Sequence, residues 1–379
     1  MSRESKKKRL LILGSGFSKA VSDKMPVVRE LAQALKEHIE KNQDRDLQAL
    51  KEPQYQHLLN DPEMLLTYLA QDQPWKEPDE THEDRALFFR VAKWLAGYIE
   101  NCEDLAFKGD IKDWVINLAS WLHHTKTPVI TFNYDTVLER VCYLRVQTIT
   151  PLLPPTTQNL PLYASNLYQM PLAMIPHRAG PTPLPFPQST FHLIKLHGSI
   201  NWFYSGGEQF PGEQVYLRLV DSMSPYSDMT GIDDLARLAM GEPPWSGPPP
   251  PFDLKAEINK LLSDKTPLII PPVAEKSRFY ANQTIRSLWG KAREYLAQAE
   301  EIYCVGYSLP DTDLTTKLLL QTTCAGKTKT LYIVNNDVKG KEDLVRRYKD
   351  AFPEGITIKD DYIRTDAVEA MTEYLCKEG

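Results

Sequence analysis

Short apolar runs recur along this chain, and each one is closed by a glycine or a small polar string. They are Arg9 to Leu13, Pro128 to Phe132, Phe191 to Leu196, Pro267 to Pro272, Glu301 to Gly306, Thr330 to Asn335 and, at an edge, Ile356 to Ile358. All are too short to span a membrane, and their near-continuous apolarity is that of strands buried on both faces. Segments with helical spacing lie between them, as at Leu31, Ala32, Leu35 and Ile39 behind Pro26, in a helix expected over Lys19 to Ile39. The alternation predicts an α/β chain with a Rossmann-like, mostly parallel sheet, helices on both faces and a helical insertion over 31–125. We read 1–379 as one Rossmann-like domain, with proline-rich surface excursions over 150–190 and 206–255.

In such a sheet ligands bind outside the carboxyl ends of the strands. Those ends hold Gly14, Ser15, Gly16, Phe17 and Ser18; then Asn133, Tyr134 and Asp135; then His197; then Gly306 and Ser308; and finally Asn335. They are expected to converge on one crevice. A strand, a Gly-x-Gly turn and a helix hold a pyrophosphate well, because glycine lets the backbone approach and orphan N–H groups face the anion. The same turn also serves as a plain tight connection. A dehydrogenase fingerprint requires a third glycine where Lys19 stands, and the Gly-Lys-Ser/Thr of a Walker loop is absent.

Each polar residue has a structural reading beside the chemical one. His197 serves as a general base or as a strand-end hydrogen bonder, and Asp135 as a site residue or as the cap of a helix starting at Thr136. Asp311 and Asp313 read as caps of a helix over Leu314 to Leu320. Lys195 reads as facing outward. Trp94, Trp114 and Trp121 read as core or interface anchors, and His123 and His124 as the close of a helix at its carbonyl end.

A net charge of −6 argues against whole-surface binding of nucleic acid, and Lys6 to Arg9 reads as a solvated basic tail. No apolar stretch reaches about 18 residues and no signal peptide precedes the first strand, so a cytoplasmic protein with no membrane contact is expected. The five cysteines are scattered without a Cys-x-x-Cys pair, so neither a disulfide framework nor a metal site is indicated.

With these strings in this order, the chain resembles the sirtuin superfamily, and within it the bacterial sirtuin-like branch of NAD-consuming antiphage effectors. The matching segments are Gly14 to Ser18 with Met25-Pro26, Asn133 to Asp135, Leu196 to Gly198, Ile269 to Pro272, Gly306 to Asp313 and Val334 to Asp337. The resemblance implies that Gly14, Ser15, Gly16, Phe17 and Ser18 hold the NAD diphosphate. It further implies that Asn133 orients ribose or water, that Asp135 reaches the nicotinamide side and that His197 is catalytic. Gly306 and Ser308 would contact phosphate or ribose, and Asn335 would lie near the adenosine. Two departures from the deacylating sirtuins stand out. The zinc-binding cysteine pairs expected after the histidine are missing, the next cysteine being Cys304, and Pro267 to Pro272 replaces the Phe-Gly-Glu stretch that pairs with acylated peptide.

The expectation is an NAD glycohydrolase releasing nicotinamide and ADP-ribose, with NAD as substrate and no metal. Its alternatives are an NAD-dependent protein deacylase and a non-catalytic NAD or ADP-ribose-binding assembly module. Since the motifs take up nearly the whole length, the resemblance implies control by homo-oligomer formation or by a partner such as a HerA-type ATPase or an Argonaute-like protein.

Overall fold

The computed structural model describes residues 7–41, 47–142, 167–168, 173–175, 190–205, 215–218, 265–271 and 277–378. Most of the two proline-rich excursions lies outside the described residues.

The main sheet has six strands, β1 (Arg9–Leu13), β2 (Val129–Thr131), β4 (Leu193–Lys195), β8 (Glu301–Val305), β9 (Lys329–Asn335) and β10 (Ile356–Ile363), in the spatial order β10-β9-β8-β1-β2-β4. Every pairing is parallel, for example Leu11 with Val129 and with Tyr303. Renumbered within the sheet the order is 6-5-4-1-2-3, that of the doubly wound Rossmann fold, whose strand order reverses between β1 and β8. The expected fold class is therefore what the strand order shows. Residues 10–13 and all of β8 are buried, as a sheet covered on both faces requires.

The expected helix over Lys19 to Ile39 is two helices, α1 (Ser15–Val21) and α2 (Val28–Lys41), because the chain breaks before Pro26, which disfavours a helical residue ahead of it. Between α2 and β2 come α3 (Pro62–Ala70), the long α4 (Pro78–Ala106) and α5 (Asp113–Thr125). Asp61 caps α3 by accepting from the Glu63 and Met64 N–H groups, with Pro62 at the first helical position. Trp114 and Trp121 are buried, and Trp94 stacks on Tyr98 at 5.3 Å. Later in the chain, α6 (Gln283–Gln298), α7 (Leu314–Cys324) and α8 (Lys341–Ala351) pack in sequence along one face, and α9 (Ala367–Glu378) returns to pack on α5.

One strand joins a different sheet from the one expected. Thr266–Ile269 (β7) does not extend the parallel sheet but belongs to a four-stranded sheet ordered β3-β6-β5-β7, with β3 at Ala173–Ile175, β5 at Gly198–Tyr204 and β6 at Tyr216–Arg218. Strand β5 pairs antiparallel with β6 and β7. A short apolar run carries no period that tells a parallel from an antiparallel partner. β4 passes into β5 through Leu196 and His197, and Gly198 makes that turn at φ +78°, where a Cβ would lie 2.0 Å from the Leu268 carbonyl oxygen.

Candidate active site

The carboxyl ends of β1, β2, β4 and β8 deliver Gly14, Asn133, His197 and Gly306 to one edge of the sheet. A cleft of about 80 Å³ opens there, smaller than the usual run of small-molecule sites. Gly14, Ser15, Asn133, Asp135, His197 and Ser308 line it, facing a second wall formed by Met25, Pro26, Val28, Leu31 and Glu63.

Under the cleft lies a floor of backbone packed on backbone, whose Gly16 and Gly306 are not themselves among the lining residues. Gly306, at φ +61°, presses on α1 so closely that a Cβ would lie 2.2 Å from the Phe17 nitrogen, and a Cβ on Gly16 would lie 2.8 Å from the Gly306 Cα. The Gly14 N–H donates to the Val305 carbonyl at 3.0 Å, the Gly16 N–H to the Gly306 carbonyl at 2.9 Å and the Phe17 N–H to the Gly14 carbonyl at 2.9 Å. Those three donors are spent on protein carbonyls, so the loop does not hold out the full set of orphan N–H groups that its glycines led us to expect. Gly14 and Ser15 face the cleft. Phe17 and Ser18 are buried behind it.

Asn133, Ser18 and Asp135 form a chain. Asn133 Nδ2 donates to the Gly14 carbonyl and to Ser18 Oγ, both at 3.0 Å, and Ser18 Oγ donates to Asp135 Oδ2 at 2.7 Å. An amide nitrogen has two protons, and both are used, which leaves Oδ1 as the Asn133 atom for the cleft. Asp135 makes the capping bond and also borders the cleft. Its Oδ1 accepts from the Val137 N–H at 3.2 Å at the head of the helical residues 137–142, while the side chain lines the cleft. Burial pushes its carboxyl up, opposed by Lys195 and by the bonds from Ser18 and Val137.

Two buried ion pairs support this chain from behind. Lys195 does not face outward: it is 1% exposed, its Nζ meets Glu139 Oε1 at 3.0 Å, and it donates to the Asp135 carbonyl. Glu103, from α4, accepts from the Thr136 N–H at 2.5 Å and from Thr136 Oγ1 at 2.6 Å, and stands 2.9 Å from Arg140 Nε. Burial pushes the Glu103 carboxyl up to about 7, against the pull of Arg140.

His197 is 3% exposed, and its Nε2 stands 3.5 Å from Asp313 Oδ2. Its ring meets Phe132 edge-on at 5.0 Å, and Phe132 stacks on Tyr307 at 4.4 Å. The His197 carbonyl accepts from the Ile270 N–H at 2.9 Å, so β7 fixes the turn that carries the histidine. Asp313 is the N-cap of α7, bonded to the Thr316 N–H at 3.3 Å, and it also accepts from Thr316 Oγ1 at 2.7 Å and from the Tyr307 hydroxyl at 3.0 Å. Burial and this carboxylate hold the Tyr307 phenol well above its ordinary range, so it remains a donor. The cap reading of Asp313 was right but incomplete. Asp311 instead pairs with Lys317.

Glu63 is the site residue that sequence reasoning passed over. It lines the cleft from α3, and its charge, together with burial, holds the Tyr134 phenol well above the ordinary range. Its only sequence signal is its place two residues after an N-cap, which says nothing about a cleft far along the chain. Asn335 lies outside the cleft lining, and its Oδ1 accepts from the Asp337 N–H at 3.0 Å. Among the described residues no group of three or more His, Cys, Asp or Glu side chains is arranged to hold a metal ion, and no helix is long and apolar enough to cross a membrane.

No family profile and no curated protein matches the chain. Solved structures of Sir2 proteins do align with it. Sir2Tm bound to a propionylated peptide matches at 14% identity with a TM-score of 0.38, over 100% of this chain and 94% of that one. A mutant Sir2 homologue in complex with ADP-ribose matches at 13% identity with a TM-score of 0.39, over 98% and 92%. A structure concerned with the mechanism and regulation of Sir2 enzymes matches at 10% identity with a TM-score of 0.36. Scores this low carry no argument about chemistry, and the fold rests on the strand order above.

Proposed function

We propose that this chain is an NAD glycohydrolase that cleaves NAD to nicotinamide and ADP-ribose. The observation that carries the reading is the single cleft at the strand-order reversal, where Gly14, Ser15, Asn133, Asp135, His197 and Ser308 meet from distant stretches of chain. That reversal point is where doubly wound sheets bind dinucleotides.

The chemistry asks little of the protein. Nicotinamide in NAD is already a cationic leaving group, so it departs neutral with the bonding electron pair, and no general acid is needed. One half of the usual two-carboxylate arrangement falls away. What remains is to fix the ribose, stabilise positive charge at its anomeric carbon and bring in water. Asn133 Oδ1 accepts a hydrogen bond from the water or from a ribose hydroxyl. His197 receives the proton that the water loses as its oxygen bonds to carbon, with Asp313 stabilising the resulting imidazolium. The carboxylates of Glu63 and Asp135 provide negative potential in the cleft. Ser15 and Ser308, at the two loops beside the floor, take the phosphates and ribose.

An enzyme that drains NAD needs restraint in its host. We propose that this comes from self-assembly or from a partner protein, with the insertion over 31–125 as the contact, and that the setting is antiphage defence. The test is to incubate the protein, alone and with candidate partners, with NAD and no peptide, and to measure nicotinamide. Release that is lost in Asn133→Ala and His197→Ala upholds the proposal. Release that requires an acyl-lysine peptide replaces it with deacylation, and binding without release replaces it with a sensing module.

A further inference from the structure

The amino end of the same sheet opens onto a second cavity of about 950 Å³, against about 80 Å³ for the cleft. Lys7, Lys8, Arg9, Lys126 and Lys377 line it, with Glu378 as the one carboxylate. The whole chain carries 44 basic against 50 acidic residues, so the groove concentrates cations on an acidic protein.

Some of this charge is already used. Lys7 and Arg9 pair with the buried Glu301 at 2.7 and 3.0 Å, and Arg9 meets Glu378 at 2.6 Å, so these residues are not the free tail that the sequence indicated. The ammonium groups of Lys8 and Lys126 have no acidic partner among the described residues, and Lys377 approaches only Glu373, at 3.9 Å on its own helix. Nor are these three needed to close the neighbouring helix, since Lys327 and Lys329 donate to the Ala297 and Ala299 carbonyls at the end of α6.

Two further features point to a ligand. Lys126 sits at φ 57° as the C-cap of α5, a left-handed position that glycine takes without strain, so a lysine is held there against its backbone preference. Trp121 lines the cavity at 5% exposure, and its indole Nε1 has no acceptor among the described residues. No ring is set out for a base to stack on: Trp121 is buried, and the Tyr295 hydroxyl is bonded to His192 Nδ1. We propose that this groove binds a chain of phosphates, supplied by a nucleotide polyphosphate or by the backbone of a nucleic-acid strand. The overall charge of −6 confines such binding to this patch and makes it sensitive to salt.

The experiment follows fluorescence anisotropy of a labelled DNA single strand of about 12 nucleotides and, separately, of a fluorescent ATP, each with the full-length protein. Tripolyphosphate, ATP and poly-glutamate serve as competitors. Three lysine–phosphate contacts predict that affinity falls about twentyfold from about 50 to about 200 mM salt. Lys126→Gly should weaken binding severalfold while melting no lower than wild type, because glycine relieves the backbone, and Lys8→Ala, Lys126→Gly and Lys377→Ala together should abolish it. Strand binding displaced by tripolyphosphate assigns a nucleic-acid backbone, and ATP binding without strand binding assigns a nucleotide; both uphold the proposal. Equal displacement by poly-glutamate, unchanged affinity in the triple variant, or no binding of either phosphate probe at the lower salt overturns it.

Discussion

The two ends of β1 treat charge in opposite ways. At the carboxyl end, Asp135, Glu139, Lys195, Glu103, Arg140 and Asp313 are engaged with one another or with backbone, mostly out of water. At the amino end, lysines stand exposed around a wide groove, and only Glu301 is buried among them. A satisfied, desolvated network holds a few side chains in one geometry, which chemistry on a bound ligand requires. Exposed cations fix no geometry; they attract at a distance and are screened by salt. The contrast therefore separates an end built for positioning from an end built for attraction.

Four experiments can break that contrast, and the largest effect is expected at the histidine. His197→Ala should lower NAD turnover by about 10²–10⁴-fold, the usual worth of a positioned base, with little change in melting temperature; a variant that keeps its rate would move the reaction out of the cleft. Next is Lys195→Ala, which leaves Glu139 buried without its cation and should cost about 3–5 kcal/mol in urea unfolding. The same substitution at Lys8, in the other region, should cost less than about 0.5 kcal/mol.

The third experiment uses pH. The folded pKa of Glu103, about 7, lies above the 4.5 of an unperturbed glutamate, so the native chain binds the proton more readily than the unfolded one. Its stabilising contribution is complete below about pH 4.5 and vanishes as pH rises through about 7. Wild type should accordingly lose about 2–3 kcal/mol more than Glu103→Gln between about pH 5 and pH 8. Equal pH slopes for the two proteins would show that the α4 carboxylate is not held as described. Smallest is Glu63→Gln, expected to lower kcat about tenfold, roughly 1.4 kcal/mol, with KM nearly unchanged, as for a charge that acts on the transition state. A rise in KM alone would make Glu63 a substrate contact only.

Much of the parallel sheet was legible before any coordinates, because a fully buried strand must be apolar throughout and its end must turn. The strings at Gly14, Asn133, His197 and Gly306 marked those ends correctly. Partnerships were not legible. Nothing near Lys195 in the sequence announces Glu139, and a lysine on a strand is outside far more often than inside. Asp313 showed its local duty, three residues before Thr316, and hid its distant one, because the approach to His197 depends on β4 and α7 being brought together by the whole sheet. The run at Leu268 to Ile270 betrayed its burial but not its neighbours, since an apolar run lacks the pattern that would name a pairing strand.

The contact between Gly16 and Gly306 has an evolutionary consequence. The main-chain contact beneath the cleft offers no side chain for selection to exchange, and at either position even a methyl group collides with the opposite loop. Descendants of this chain that acquire new chemistry must rewrite the flanks, at Ser15, Glu63, His197 or Ser308, and leave the base as it was inherited.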